Sequence, residues 1–267
     1  MSPIVVNTDN IWSPVIDVTK FILVVAAFTW LMVISTGQLG YHWQWYRVSQ
    51  YLYTVKDGQI FSGPLIAGLM VTLRIAGVSL LLAFVFGLAT ALLRLSNSFV
   101  GKIMARVYLE VIRNTPLLVQ LFFIYFVLSP VFDISAFTSA VLALSLFEGA
   151  YASEIFRAGI VSIHRGQWEA AFSLGLNTSQ TYRLIVLPQA LRRILPPLTS
   201  QAVSLIKDSA LVSTIAIYDL TMRGQAIIAE TFLVFEIWFT VAAMYLIITL
   251  ILSITVFYME KRFKTDY

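Results

Sequence analysis

The sequence predicts an all-α integral membrane protein with six transmembrane helices, and three observations carry that expectation. Hydrophobic residues make up 59% of the 267-residue chain and charged residues only 12%, against roughly 45–50% and about 25% in a soluble domain. So little charge cannot coat a water-exposed surface, which excludes an ordinary cytosolic protein, a disordered chain and a nucleic-acid binder. Six stretches approach or exceed the roughly 20 mostly apolar residues that a bilayer-crossing helix needs. Finally, Lys and Arg gather on one side of the resulting topology.

The first span is expected at 21–37. Its upstream flank holds Asp9 and Asp17 with Lys20 alone, not the basic leader of a cleaved signal peptide, and no small-residue cleavage pattern follows. The second, 65–93, is long enough to require tilt. The third (107–128) and fourth (134–155) are separated only by Pro130 and Asp133. The fifth, 195–218, carries polar residues, and the sixth is 232–258. With the 158–194 connection in the cytoplasm, thirteen Lys and Arg lie on that side. Only Arg47, Lys56 and Arg223 lie outside, and Arg74 and Lys207 fall within spans. This positive-inside bias puts both termini in the cytoplasm. The same reading makes 1–63 an extra span with an outer aromatic loop (Tyr41, Trp43, Trp45, Tyr46, Tyr51, Tyr53), and 64–267 the transmembrane domain. The aromatic loop reads as an interfacial belt, with contact to an outer binding protein as the alternative. The 219–231 connection, with Arg223 and Glu230, is the better outer docking candidate.

The 158–194 connection lacks the composition of a flexible linker. Residues 167–174 read as a short helix with Trp168, Ala171, Phe172 and Leu174 as apolar positions, and Gly175 suits the left-handed residue that ends it. Asn177-Thr178-Ser179 caps a second helix that runs over 180–186 and stops at Pro188. Their apolar sides need cover, either lipid headgroups or a soluble partner. Glu169-Ala170-Ala171, Gly175, Ile185, Leu187 and Pro188 match E-A-A-x3-G-x9-I-x-L-P without a gap. This pattern resembles the signature loop of permease subunits of bacterial ABC importers. Ala150-Tyr151, Glu154-Ile155, Arg157, Gly159-Ile160, Gly166-Gln167, Pro196-Pro197 and Lys207-Asp208-Ser209-x-Leu211 are similar to its polar amino-acid branch.

The resemblance spans about residues 65–263 and implies a type I ABC importer permease core, placed in the bacterial inner membrane. It implies that the loop docks into a groove of a cytoplasmic ATPase subunit, one of two, through Glu169, Ala170, Ala171, Gly175, Leu187 and Pro188. It further implies a second permease subunit, identical or paralogous, an extracytoplasmic solute-binding protein, and a polar amino acid as cargo. ATP and magnesium would sit on the ATPase. On the residues alone, Ala170 and Ala171 permit close approach of another backbone. Glu169 can cap its own helix or meet a partner cation.

No phosphate-binding G-x-x-x-x-G-K-[ST] run occurs, and there is no cysteine. His42 and His164 lie outside the spans without metal-ligand spacing. No catalytic or metal site is therefore expected, which argues against a membrane enzyme, and the signature loop argues against a channel.

Charges within spans mark a pathway or a helix clamp. Ser200, Ser204, Lys207, Leu211 and Thr214 fall at i, i+4, i+7, i+11 and i+14, one stripe of a helix, with Gln201 and Asp208 flanking it. Glu148, Tyr151 and Ile155 share a face of the fourth span. Arg74, Glu148, Tyr151, Ser204, Lys207, Asp208 and Thr214 are the candidate cavity residues. Lys207 and Arg74 opposite Glu148 would complement the two ends of a zwitterion. Ser200-Gln201 and Ser209-Ala210 depart from the commoner Asn-Gln and Thr-Ser of the family, which bears on substrate contacts.

Overall fold

A computed structural model gives the architecture and describes residues 12–38, 40–56 and 58–263. Asp9 and Lys264 of the charge argument lie outside those residues, as do both extreme termini. The chain divides into two compact units, 1–44 and 45–267. The first contains α1 (Trp12–Gln38), an apolar helix interrupted by Asp17 and Lys20 only near its start. Residues 45–62, expected to go with the first span, fall within the second unit.

That segment comprises α2 (Ser49–Leu52) and an antiparallel hairpin of β1 (Tyr53–Lys56) and β2 (Gln59–Ser62), turning at Gly58 with φ +76°. It leads into α3 (Pro64–Leu95), with Pro64 at the first helical position, where its missing N–H costs nothing. The buried residues of α3 include Gly68, Thr72, Ala76, Ser79, Ala83, Gly87 and Ala91, a stripe of small side chains. α7 (Ala136–Val161) answers with Ser139, Ala143, Gly149, Ala152 and Ser153. Lipid removes the hydrophobic incentive between helices, so close backbone approach through small residues supplies the packing. A Cβ on Gly87 would lie 2.7 Å from that of Ala152.

The expected third span is two pieces bent by 106°: α4 (Phe99–Arg113), then 117–132. The second piece is α5 (Leu117–Phe122), a π-helical stretch 123–128 and α6 (Ser129–Phe132). The break lies at Asn114-Thr115-Pro116, since the residue before proline avoids the helical region. Gln120 reaches back across the corner. Its Nε2 donates to the carbonyls of Ile112 (2.8 Å) and Thr115 (3.1 Å), satisfying groups the bend orphans.

Beyond α7 come α8 (Arg165–Ser173), α9 (Thr178–Thr181), a π-helical stretch 182–186, α10 (Leu187–Asp208), a 3₁₀ segment 209–215, α11 (Leu220–Thr231) and α12 (Val234–Phe263). By length and composition, four of the described helices can cross a membrane, and five if the bent pair is one span. α10 is not among them, and it carries Arg192, Arg193, Lys207 and Asp208. It also begins eight residues before the expected 195, and a 3₁₀ segment replaces the expected helix beyond 208.

On α7, Glu154 holds three arginines from three elements. Arg94 ends α3 (2.5 Å), Arg113 ends α4 (3.3 Å), and Arg157 is on α7 itself (3.1 Å). At the other end of the core, Asp219 caps α11, accepting from the Met222 N–H at 2.8 Å, and the Thr72 hydroxyl accepts from the Leu220 N–H at 3.1 Å. α11 is thereby fastened to α3.

Candidate functional site

The 158–194 connection folds as a block. At its entry, His164 caps α8 by accepting the Gly166 N–H on Nδ1 at 3.1 Å. Glu169 caps nothing. It lies exposed and pairs with Arg165 at 2.9 Å, in the Arg-before-Glu order that supports a helix least, so it can exchange partners readily. α8 ends as the sequence requires. Gly175 has φ +77°, its N–H reaches the Phe172 carbonyl (2.9 Å) and the Leu176 N–H reaches that of Ala171 (3.1 Å), which is a Schellman cap. Asn177 and Gln180 then satisfy each other's backbone N–H groups at 2.9 and 3.0 Å, a capping box.

The second helix does not stop at Pro188. It passes through the π-helical stretch, in which the Leu187 N–H bonds to the Tyr182 carbonyl, and continues as α10. The wider π turn accommodates a ring that an α-turn would push against the preceding carbonyl.

Trp168 packs edge-on against Tyr182 at 5.0 Å, and both lie against the buried Phe156, Ile160, Ile163, Val186 and Ala190. The base is closed by Arg193, whose Nη1 donates to the Ser162 carbonyl at 2.6 Å, and by Gly159, where a Cβ would meet Ile194 at 2.2 Å. Ala171 is buried, whereas Glu169, Ala170, Gly175, Leu187 and Pro188 are exposed beside Phe172 and Leu174. Of the four apolar positions expected on α8, Trp168 and Ala171 are thus covered by this chain, and Phe172 and Leu174 are left bare.

The candidate cavity residues separate into groups. Glu148 is buried and accepts from Gln201 Nε2 at 3.0 Å, with Asp208 in electrostatic reach. Ser204 and Lys207, with Ser200, face the other way, into a hollow of about 300 Å³ shared with Ser253 and Val256 of α12. Ser253 is a contributor that sequence spacing does not flag, since a single serine in an apolar span carries no pattern.

Tyr151 packs on Phe147 at 5.1 Å with the Arg113 guanidinium over its ring at 5.8 Å, away from Lys207. Arg74 is exposed, its guanidinium 5.3 Å from the Phe137 ring. Thr214 is exposed, and its hydroxyl donates to the Leu211 carbonyl. The tighter 3₁₀ turn from 209 takes Thr214 out of the α-helical stripe. Among the described residues, no ion pair joins Lys207, Asp208, Arg74 or Glu148 to one another. The arrangement offers two polar surfaces, a carboxylate–amide pair inside the bundle and an ammonium in an open hollow.

Residues 83–265 match the family described as the inner membrane component of binding-protein-dependent transport systems. The chain is 44% identical over 203 residues to the glutamine transport system permease protein GlnP of Escherichia coli (strain K12), covering 75% of this chain and 93% of that one. It is 40% identical over 207 residues to the L-cystine transport system permease protein TcyB of Bacillus subtilis (strain 168), covering 76% and 88%. Its fold is similar to a crystal structure of an amino acid ABC transporter with histidines, at TM-score 0.71 and 38% identity over 74% of this chain and 94% of that one. An inward-facing MetNI methionine ABC transporter gives TM-score 0.63 at 19% identity, over 75% and 96%, and supports the fold alone.

Proposed function

This chain belongs to the family of inner membrane components of binding-protein-dependent transport systems and is an ABC importer permease, and we propose that it moves polar L-amino acids by alternating access. The relatives named for glutamine and cystine support that cargo class, and glutamine, glutamate or a basic amino acid is the expected solute. A separate extracytoplasmic binding protein delivers it. A second permease subunit, identical or paralogous, completes the path, and two ATPase subunits on the cytoplasmic side supply the energy. Both termini of this chain face the cytoplasm.

The observation that supports ATPase coupling most strongly is the block formed by α8 to α10. Its inner side is fused to the end of α7 and the start of α10, and its outer side presents Glu169, Ala170, Phe172 and Leu174. A rigid block with a bare apolar edge transmits a push, where a flexible loop would absorb it. The test is uptake of radiolabelled amino acids into proteoliposomes holding the permease, its ATPase and its binding protein. ATP-dependent uptake of a polar amino acid is expected, lost in Glu169→Lys with the complex still inserted. Uptake that survives ATP depletion would sink the importer mechanism. Wild-type uptake by Glu169→Lys would sink the docking role.

A further inference from the structure

Five cations line a cleft of about 690 Å³, which Tyr151 of the candidate cavity residues also borders. Arg94, Arg113 and Arg157 converge there on Glu154, which neutralises at most one of them. Lys102 and Arg106 line the same cleft from α4, and among the described residues neither has a carboxylate partner. Glu110 is the cleft's other acid, so five positive groups face two negative ones.

The depth of the cleft is fixed by the helices that frame it. Arg94 lies in the last turn of α3, and Glu154 and Arg157 lie near the end of α7. Both helices are apolar enough to cross a membrane, so their ends sit at the level of lipid headgroups. α4, set at 106° to the piece that follows it, has three faces. Gly101, Ala105 and Leu109 are buried, Val100, Met104, Val107 and Val111 are exposed and apolar, and Lys102, Arg106 and Arg113 are basic. A helix with a bare apolar face beside a basic one is built to lie along a membrane surface. Arginine forks match phosphate oxygens in pairs, and lysine adds a compact charge.

We propose that this cleft binds the phosphate of an anionic phospholipid headgroup, in the leaflet on the side of the 158–194 connection. The phosphate chemistry alone would also admit a soluble phosphate, but headgroup depth and the apolar flank of α4 favour the lipid. The site is independent of which solute is carried.

Native mass spectrometry of the intact transporter in detergent tests this. Phosphatidylglycerol should remain bound where phosphatidylcholine does not. The double variant Lys102→Gln, Arg106→Gln should hold phosphatidylglycerol roughly 30-fold more weakly, from the loss of two surface cations. The charge-conserving Lys102→Arg, Arg106→Lys should keep it. Binding is read only on the mass of the assembled complex, so misfolding cannot imitate the loss. Equal retention by the Gln variant overturns the proposal. So does retention of glycerol 3-phosphate or inorganic phosphate as strong as that of the lipid, which would make the cleft a soluble-phosphate site. Failure of wild-type complex to hold any of these probes also overturns it, and would point to carboxylates of the second permease copy as the occupant.

Discussion

Gly175 and Asp219 show how single residues set the geometry at the two ends of the molecule. At Gly175 an added Cβ meets open space, so the constraint is conformational. An L-residue at φ +77° costs about 1–2 kcal/mol, and a β-branched one more. Gly175→Val should leave membrane insertion normal while abolishing ATP-driven uptake, whereas Gly175→Asn, tolerated at such caps, should retain much of it. Uptake assays at matched expression check both, and wild-type uptake by the Val variant would remove the role.

Asp219 is buried, and burial pushes its carboxyl up to about 6 against the pull of the Met222 and Thr221 N–H groups. A carboxyl raised in the fold stabilises fully below its ordinary value near 4. That contribution is lost as pH rises through about 6. At neutral pH the fold therefore carries an ionised, poorly solvated group. Asp219→Asn keeps the cap and removes that cost, on the order of 2–3 kcal/mol. Thermal unfolding across pH 4 to 7 should show a flatter profile and a higher midpoint at neutrality in the variant. A drop at neutral pH would contradict the assignment.

Among elements, the two π-helical stretches obey one rule. Residues 123–128 lead into Ser129-Pro130 and residues 182–186 into Leu187-Pro188. In both, the chain expected to stop at proline widens by one residue per turn and continues. The first helix ends only at Asp133, in the left-handed conformation with φ 51°. The prolines were legible in the sequence, and their effect was not. A proline ends a helix when nothing else holds the following turn, and here tertiary contacts of α10 with α7 and α12 do. Pro188→Ala removes the reason for the wider turn. It should preserve or raise thermal stability while lowering uptake per assembled complex several-fold, because the α8 block is re-aimed relative to α10. Unchanged uptake, measured against complex quantified by size-exclusion chromatography, would show that the π turn has no part in coupling. The break at Asn114-Thr115-Pro116 is the opposite case. There the proline does end α4, and Gln120 holds the corner.

For the molecule as a whole, the decisive question is whether Lys207 serves the solute or clamps helices. Within this chain it has no ion pair among the described residues and faces an open hollow with Ser200, Ser204 and Ser253. An unsolvated charge in the hydrocarbon would cost at least about 2.5–3.5 kcal/mol, and water or cargo in the hollow would offset that cost. Lys207→Met should cut uptake at least ten-fold while the assembled complex persists. Stimulation of the ATPase by loaded binding protein should fall less than uptake does. Loss of assembly, restored by Asp208→Asn or Glu148→Gln, would instead identify a clamp.

The sequence by itself determined the membrane class, the family and the order of the helices, because lipid demands apolar length and because the signature loop is contiguous in the chain. It also determined the Gly175 stop and the Asn177 cap, which depend on local backbone geometry. It did not determine which charges meet. The expected common cavity rested on Arg74, Glu148 and Lys207 all lying within spans, and helical phase alone cannot say which neighbour each face receives. Only the tertiary structure put Glu148 against Gln201, turned Lys207 toward α12 and drew Tyr151 to Arg113. It also gathered Arg94, Arg113 and Arg157, up to 63 residues apart in sequence, around one carboxylate. Local rules act over one helical turn, whereas the pairing of charges across helices follows from where small residues let backbones approach.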